Sequence, residues 1–172
     1  VNLLLGVSDM SGVRTSIAQI VAEEFCLPLE KVRVVIGDTD SAPWATMSVG
    51  SMTTYSLSVA AFRACQDAKE QLMERAAARL ELDPHDLEFT GGRFQVKGNP
   101  EQSISLVELA AAAVALRGGA GPIAGRGSVG GRPFAPTLSV HAADLEVDQE
   151  TGKVKVVAYA VAQDVGRALN PM

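Results

Sequence analysis

The first eighty residues alternate short apolar runs with stretches in which apolar positions recur every three or four residues. Residues 2–7 and 31–36 are short and rich in leucine, valine and isoleucine, which predicts two buried strands. Helical spacing predicts a helix over residues 15–26, which Pro28 ends, and a second, alanine-rich helix over residues 51–80. At 1.5 Å per residue the second helix would be about 42 Å long. A strand, a loop of small residues and a helix therefore follow one another twice.

The second half of the chain adds a hairpin, a short helix, a glycine-rich loop and a long hairpin. These are predicted at residues 87–89 with 93–96, 105–116, 118–133, and 137–147 with 153–162. Ser105, with Glu108 three residues later, forms a capping box that starts the short helix. The predicted fold class is α+β, with repeated strand–loop–helix units, mixed sheets, a long alanine-rich helix and a closing long β-hairpin. We expect residues 1–172 to form a single domain.

Composition narrows the functional classes. The net charge of −5 argues against nucleic acid as the main partner, because neutralising phosphates requires clustered lysines and arginines. No apolar run approaches the roughly 20 residues that span a bilayer, and no signal peptide is recognisable, so we expect a cytoplasmic protein without a membrane span. Cys26 and Cys65 stand 39 residues apart without a metal-ligand pattern, so they predict buried free thiols in a reducing compartment rather than a zinc or iron–sulfur site.

The two strand-to-helix junctions are the best candidates for a binding site. The first contains Ser11 and Gly12, and the second contains Ser48, Val49, Gly50 and Ser51, followed by Thr53 and Thr54. Small residues leave the backbone N–H groups at a helix start accessible, and such groups bind phosphate readily. The alternative is that these are simply capped helix starts, with Thr15 or Ser16 as the cap of the first helix.

Three other patterns have simpler interpretations. Residues 125–130 match Gly-x-Gly-x-x-Gly, but no strand precedes them and no helix follows, so we reject a dinucleotide fold and predict a flexible loop. Its arginines, 117, 126 and 132, are candidate anion contacts. Asp38 and Asp40 could bind a hard cation but more often close a turn. His141 is expected to be a satisfied interior histidine.

The end of the chain carries a recognisable signature. Residues 144–154 read DLEVDQETGKV, and residues 162–171 read AQDVGRALNP. The N-terminal part agrees with the same family, in order, through Ser11-Gly12, Leu27-Pro28, Asp38-Thr39-Asp40 and residues 48–54. The chain resembles the molybdopterin-binding large subunit of the molybdenum hydroxylase family, which includes xanthine dehydrogenases, aldehyde oxidases and carbon monoxide dehydrogenases.

The resemblance implies a cofactor, molybdopterin with molybdenum, which in this family is often the cytosine dinucleotide. The implied cofactor-binding residues are Ser11, Gly12 and Thr15 at the first junction, Gly50, Ser51, Thr53 and Thr54 at the second, and Asp164 and Asn170 near the C-terminus. The family typically has Gln where this chain has Ser11, and often Arg where it has Met52. Asp164 and Asn170 are as well explained by a structural role in the loop after the last strand.

The resemblance also implies a reaction and partners. The parent enzyme would hydroxylate an aldehyde or N-heterocycle with water as the oxygen source, and electrons would leave through iron–sulfur and FAD subunits or domains. The family's catalytic Glu follows the matched residues, so we expect no catalytic residue and no metal ligand here, and no activity of these residues in isolation. Other expected partners are the rest of the subunit and a small-molecule substrate; a homo-oligomer is left open. The alternatives are a non-catalytic assembly module of a larger oxidoreductase and a small phosphate-ligand binding protein.

Overall fold

The structure, a computed structural model, describes residues 1–114, 119, 121–131 and 136–169. Contacts divide the chain into two compact units, Val1–Pro133 and Phe134–Met172. The first unit holds all the described helices and the core. The second is a β-hairpin. Both contain strands, so the predicted α+β class is confirmed.

Two parallel strands joined by a helix open the first unit. Strand β1 (Asn2–Leu5) pairs in parallel with β2 (Arg33–Ile36), and helix α1 (Val13–Glu24) makes the crossover that parallel strands require. The two predicted strands are therefore confirmed at slightly shorter length. The helix begins two residues before its predicted start. Its N-cap is Gly12, so the predicted capping by Thr15 or Ser16 is wrong.

Helix α2 (Thr53–Leu80) runs for 28 residues, as its alanine spacing predicts. Its buried face consists of small or medium side chains three or four residues apart: Ala61, Cys65, Ala68, Leu72, Ala76 and Ala77. Alanine leaves room for a second helix to approach closely, and α1 packs here with Val13, Ile17 and Val21, which are almost completely buried. The core of the first unit therefore lies largely between these two helices.

A three-stranded antiparallel sheet covers the far end of α2. Strands β3 (Leu87–Thr90) and β4 (Arg93–Val96) form the predicted hairpin, in which the rings of Phe89 and Phe94 are tilted at 46° with their centroids 4.7 Å apart. A third strand, β5 (Asn99–Ser105), was not predicted, because its first four residues are exposed and polar or proline and show no alternation. Helix α3 (Leu106–Ala113) starts at the predicted capping box.

The second unit confirms the predicted closing hairpin. Strand β6 (Leu138–Val147) pairs antiparallel with β7 (Val154–Asp164), with a register shift between Asp144 and Leu145. In the turn, Asp148 accepts hydrogen bonds from the Thr151 hydroxyl and from the Glu150 and Thr151 N–H groups, and these bonds lower the pKa of Asp148. Side chains along both strands are exposed.

Candidate functional site

The two strand-to-helix junctions meet in one cleft. Because β1 and β2 are parallel, their carboxyl ends lie at the same edge of the pair, and both following loops leave from that edge. The cleft has a volume of about 320 Å³. Its lining is Met10 and Ser11 from the first junction, and Ser48, Val49, Gly50, Ser51, Thr53 and Thr54 from the second. The two junctions that are the best sequence candidates for a binding site therefore lie beside each other in the fold.

Neither helix start is capped by a side chain. The N-cap of α1 is Gly12 and that of α2 is Met52, and neither provides a side-chain acceptor. The first-turn N–H groups of a helix then need another acceptor, and the positive end of the helix dipole adds to their attraction for an anion. The cleft therefore presents bare donors from the start of α2, with the start of α1 beside it.

The backbone just before each helix adopts the same unusual conformation. Ser11 and Gly12 have φ angles of 53° and 73°, and Gly50 and Ser51 have φ angles of 62° and 55°. The left-handed region costs a residue with a side chain about 1 kcal/mol, so both serines are strained. A Cβ added at Gly12 or Gly50 would meet no atom within 4 Å, so the space beside both glycines is open.

The loop that carries the second junction folds back over the strand ends. A Cβ at Gly6 would overlap the Pro43 carbonyl oxygen, so only glycine permits this approach. Asp38 fixes the turn by accepting from the Ser41 N–H, the Ser41 hydroxyl and the Asp40 N–H at 2.9–3.0 Å. These hydrogen bonds, led by those from Ser41, lower the pKa of Asp38. Asp38 therefore serves in a turn, the commoner of its two predicted roles.

The cleft lining contains no charged or titratable side chain among the described residues. Arg14, in the first turn of α1, is engaged elsewhere: its Nη2 lies 2.9 Å from Asp9 Oδ2, and its Nη1 donates to the Val34 carbonyl oxygen. This pairing ties the β1–α1 loop to β2. With amide donors and hydroxyls only, the cleft can bind and orient an anionic group, and its lining offers no group for acid–base chemistry.

The structure gathers five of the nine predicted cofactor-binding residues in the cleft lining. They are Ser11, Gly50, Ser51, Thr53 and Thr54. Gly12 adjoins them as the α1 N-cap, whereas Thr15 lies in the first turn of α1 outside the lining. Asp164 ends β7 in the second unit, where it accepts from the Gly166 N–H, and Asn170 lies outside the described residues. Ser48 and Val49, which belong to the second predicted junction, also line the cleft, and so does Met10. The only signal for Met10 in the sequence is its place beside a small-residue turn.

The remaining candidates lie outside the cleft. Residues 121–131 form no helix or strand, which agrees with the rejection of a dinucleotide fold. Arg117 and Arg132 fall outside the described residues. His141 is exposed rather than interior, and its ring nitrogens bond Ser139 Oγ at 2.8 Å and Tyr159 OH at 3.0 Å. Cys65 is buried as predicted, whereas Cys26 is exposed.

No group of three or more His, Cys, Asp or Glu residues in the described part of the chain is placed to hold a metal ion. Within the same part of the chain, no helix is long and apolar enough to cross a membrane.

The whole sequence, residues 1–172, matches the model of the molybdopterin cofactor-binding domain family. The chain belongs to this family. The predicted resemblance to molybdenum hydroxylases is thereby confirmed, and so is the assignment of a molybdopterin-binding domain. This cofactor is a pterin with a phosphate tail, and the open, uncapped cleft suits such an anion.

Curated relatives match nearly the entire chain. The gamma subunit of the 6-hydroxypseudooxynicotine dehydrogenase complex of Paenarthrobacter nicotinovorans is 33% identical over 97% of this chain and 21% of its own length. The carbon monoxide dehydrogenase large chain of Afipia carboxidovorans is 29% identical over 96% of this chain and 21% of its own. The chain thus spans about a fifth of the length of these relatives.

Solved structures share the fold. A Cu,Mo-containing CO dehydrogenase superposes with a TM-score of 0.78 at 28% identity, covering 98% of this chain and 22% of that one. Quinoline 2-oxidoreductase from Pseudomonas putida 86 superposes with a TM-score of 0.78 at 21% identity, covering 99% and 22%, which shows likeness of fold alone.

Proposed function

We propose that the cleft holds the anionic part of a molybdopterin cofactor. One observation carries the proposal: two uncapped helix starts, each preceded by a pair of residues with positive φ, open beside a single cleft lined by hydroxyls and glycine. A phosphate placed there would accept hydrogen bonds from the first-turn N–H groups, and no side chain would need to move. Membership of a molybdopterin-binding family supports the same ligand.

The two junctions would divide the cofactor between them. Ser11, Gly12 and Thr15 would face one part, and Gly50, Ser51, Thr53 and Thr54 another. The cofactor would be the cytosine dinucleotide form, whose additional phosphate gives a second helix start an acceptor to bind. When bound, it would supply a molybdenum centre for oxidation and reduction. We further propose that Asp164 and Asn170 shape the loop that follows β7.

The parent protein would catalyse the oxidative hydroxylation of an aldehyde or N-heterocycle with water as the oxygen source. The names of several relatives, which include nicotinate dehydrogenase and nicotine 6-hydroxylase, favour an N-heterocycle. Electrons would leave through iron–sulfur and FAD subunits or domains, in the cytoplasm. Assaying the purified complex against paired heterocycles and aldehydes with an artificial electron acceptor tests this. Turnover of aldehydes alone would contradict the heterocycle preference.

A pair of substitutions at one position tests the cleft itself. Asp and Asn are nearly equal in size, and both tolerate the positive φ of Ser51, so Ser51→Asp and Ser51→Asn differ essentially in charge. We expect Ser51→Asp to lower the cofactor content of the purified protein about tenfold or more, because it places an anion against an anion. Ser51→Asn should change it little. Molybdenum is measured by mass spectrometry and the released nucleotide by chromatography. Equal cofactor content in both variants would contradict the proposal.

A non-catalytic assembly module is the second candidate, and the hairpin favours it. Strands β6 and β7 expose many large apolar side chains, among them Leu138, Val140, Val156 and Tyr159. Exposed apolar surface of this kind marks interaction with other protein. The metal content of the full protein discriminates: an assembly module would purify within the complex without molybdenum and without released nucleotide.

A further inference from the structure

The glycine-rich segment lies extended along α2. We call residues 121–131 the strap. Four α2 side chains hydrogen-bond the main chain of the strap. Three of them donate to carbonyl oxygens: Arg75 Nη1 to Gly121 at 2.6 Å, Gln71 Nε2 to Ala124 at 3.1 Å and Arg63 Nη1 to Ser128 at 2.6 Å. The fourth, Asp67, accepts at Oδ2 from the Arg126 N–H at 2.7 Å. The predicted flexible loop is thus held along its length.

The spacing of these hydrogen bonds matches the repeat of the helix. The four α2 residues are each four apart, which is about 6 Å along the helix axis. Three of their partners, at positions 124, 126 and 128, are two apart, which is about 6.6 Å in an extended chain. An extended strand can therefore satisfy each turn of the helix in succession. It runs antiparallel to α2, since the strap's first residues lie opposite the later turns.

Two glycines fix which residues face the helix. A Cβ at Gly125 would overlap the Ala64 carbonyl oxygen, and one at Gly127 would overlap that of Ala60. A shift of the strap by two residues in either direction would bring Ile123 or Val129 against this part of the α2 backbone, where no side chain fits. The hydrogen bonds and the glycines therefore select the same register. The Gly-x-Gly pattern thus has a packing role here.

We propose that this register is a positioning device for the cleft and that Asp67 is its central residue. The strap is hydrogen-bonded to α2, the same helix whose first turn carries Thr53 and Thr54 of the cleft lining. Its effect on the cleft would therefore be transmitted through the position of α2. The strap itself stands independently of the proposed function. Its effect on the cofactor rests on that function.

Asp67 joins the strap to the helix through a small network. One carboxylate oxygen accepts from the Arg126 N–H, and the other accepts from Gln71 Nε2 at 3.0 Å, so Gln71 holds the carboxylate while also reaching the strap. These bonds, led by that from Arg126, lower the pKa of Asp67. The carboxylate therefore stays ionised at neutral pH, and a charged acceptor makes the stronger hydrogen bond.

Trypsin provides a direct measurement, because it cleaves after Arg126 and needs that backbone free of the helix. We expect slow cleavage at this bond in the purified protein and cleavage about tenfold faster in Asp67→Ala, since the rate follows the population of the detached strap. Asp67→Asn keeps a neutral acceptor and should fall between the two. Alanine favours helix more than aspartate does, so a weaker α2 would not explain faster cleavage.

Two controls make the result specific. Glu70→Ala removes an exposed carboxylate that makes no hydrogen bond to any described residue of the chain, and it should leave the rate at Arg126 unchanged. Cleavage after Arg79, within α2, reports general unfolding. Gly127→Ala should detach the strap without touching the charges. Two outcomes would show that Asp67 does not hold the strap on α2. One is an equal rate of cleavage after Arg126 in the wild type and in Asp67→Ala. The other is an equal acceleration of cleavage after Arg126 and after Arg79 in Asp67→Ala.

The link to the cleft has its own readout. Asp67→Ala should retain less molybdenum than Glu70→Ala when both are purified in the complex. Unchanged metal content together with fast cleavage at Arg126 would overturn the positioning role while leaving the strap intact. A wild-type protein without molybdenum would instead refute the proposed function, and the cleavage comparison would still decide the strap.

Discussion

Lys69 Nζ lies 2.6 Å from Glu24 Oε2 and joins α2 to the end of α1. Both side chains are about four-fifths buried, at 18% and 21% exposure, so the pair is poorly screened by solvent. Gln66 Nε2 donates to the same oxygen at 2.9 Å, and the Lys69 ammonium also lies 5.3 Å from the centre of the Phe89 ring. The pair therefore ties both helices to the antiparallel sheet.

Glu24→Gln should lower the free energy of unfolding of the chain by about 1–2 kcal/mol, because the largely buried ammonium of Lys69 is left without its counter-charge. Glu23→Gln is the matched control, since Glu23 is its exposed neighbour. Urea denaturation of the variants and the wild type measures the difference. Equal stability of Glu24→Gln and Glu23→Gln would show that the pair contributes nothing measurable.

The two cysteines should differ sharply in reactivity. Burial, with the charge of Glu24 as the second cause, raises the pKa of the Cys65 thiol to about 11. The thiolate is the reactive form, and at pH 8 only about one Cys65 in a thousand would be ionised. Cys26 is exposed. We expect iodoacetamide at pH 8 to modify one thiol per native chain, Cys26, with peptide mapping as the measurement.

The charge of Glu24 near Cys65 predicts the direction in which a substitution changes the reactivity of this thiol. Removing the Glu24 charge leaves Lys69 to act alone, so the pKa of Cys65 falls in Glu24→Gln and its alkylation quickens at a given pH. Glu23→Gln should leave the rate unchanged. If Cys65 in the wild type reacts as fast as Cys26, the buried environment is absent in solution.

Sequence periodicity predicted the long elements well. Helix α2 and the β6–β7 hairpin lie within about two residues of their predicted bounds, because each keeps one pattern over ten residues or more. Strand β5 was not predicted, because it lies at a sheet edge and buries little besides Ile104. Its sequence therefore shows no alternation of apolar and polar residues.

The site was predicted in part, for a physical reason. Composition identified both small-residue junctions, but periodicity carries no information on the left-handed conformation of Ser11, which shifts the start of α1. Sequence periodicity also carries no information on close contacts between segments that are far apart in the chain. The contact of Gly6 with Pro43, and that of Gly125 with Ala64, exist only once the chain has folded.

Gly6→Ala should destabilise the chain by about 1–3 kcal/mol or perturb the second junction, because the new Cβ would overlap the Pro43 carbonyl oxygen and the loop would have to move. Gly130→Ala is the control, since no atom lies within 4 Å of its added Cβ and its φ is not positive. Thermal denaturation should show a lower Tm for Gly6→Ala and little change for Gly130→Ala. Identical curves would mean that the loop does not rest on the strand end.

The capping box of α3 gives a prediction with a pH dependence. Ser105 Oγ donates to Glu108 Oε2 at 2.6 Å, the Ser105 N–H donates to the same oxygen at 2.8 Å, and the Glu108 N–H donates back to Ser105 Oγ at 3.2 Å. The two bonds that the Glu108 carboxylate accepts, led by that from the Ser105 hydroxyl, lower the pKa of Glu108 below its usual value of 4.5. The ionised carboxylate therefore binds better in the folded chain than its protonated form does.

Because the folded pKa is depressed, the stabilisation from Glu108 is fully present above pH 4.5 and is lost as the pH falls through the folded pKa. We expect Ser105→Ala to reduce stability by about 1 kcal/mol at pH 7. The difference should narrow below pH 4, where Glu108 takes up a proton in the wild type as well. Urea denaturation at pH 7 and pH 3 measures both values, with Glu101→Gln on β5 as the control for an exposed carboxylate. A difference that stays constant down to pH 3 would show that the stabilising bond comes from the hydroxyl as a cap alone and that the Glu108 charge takes no part.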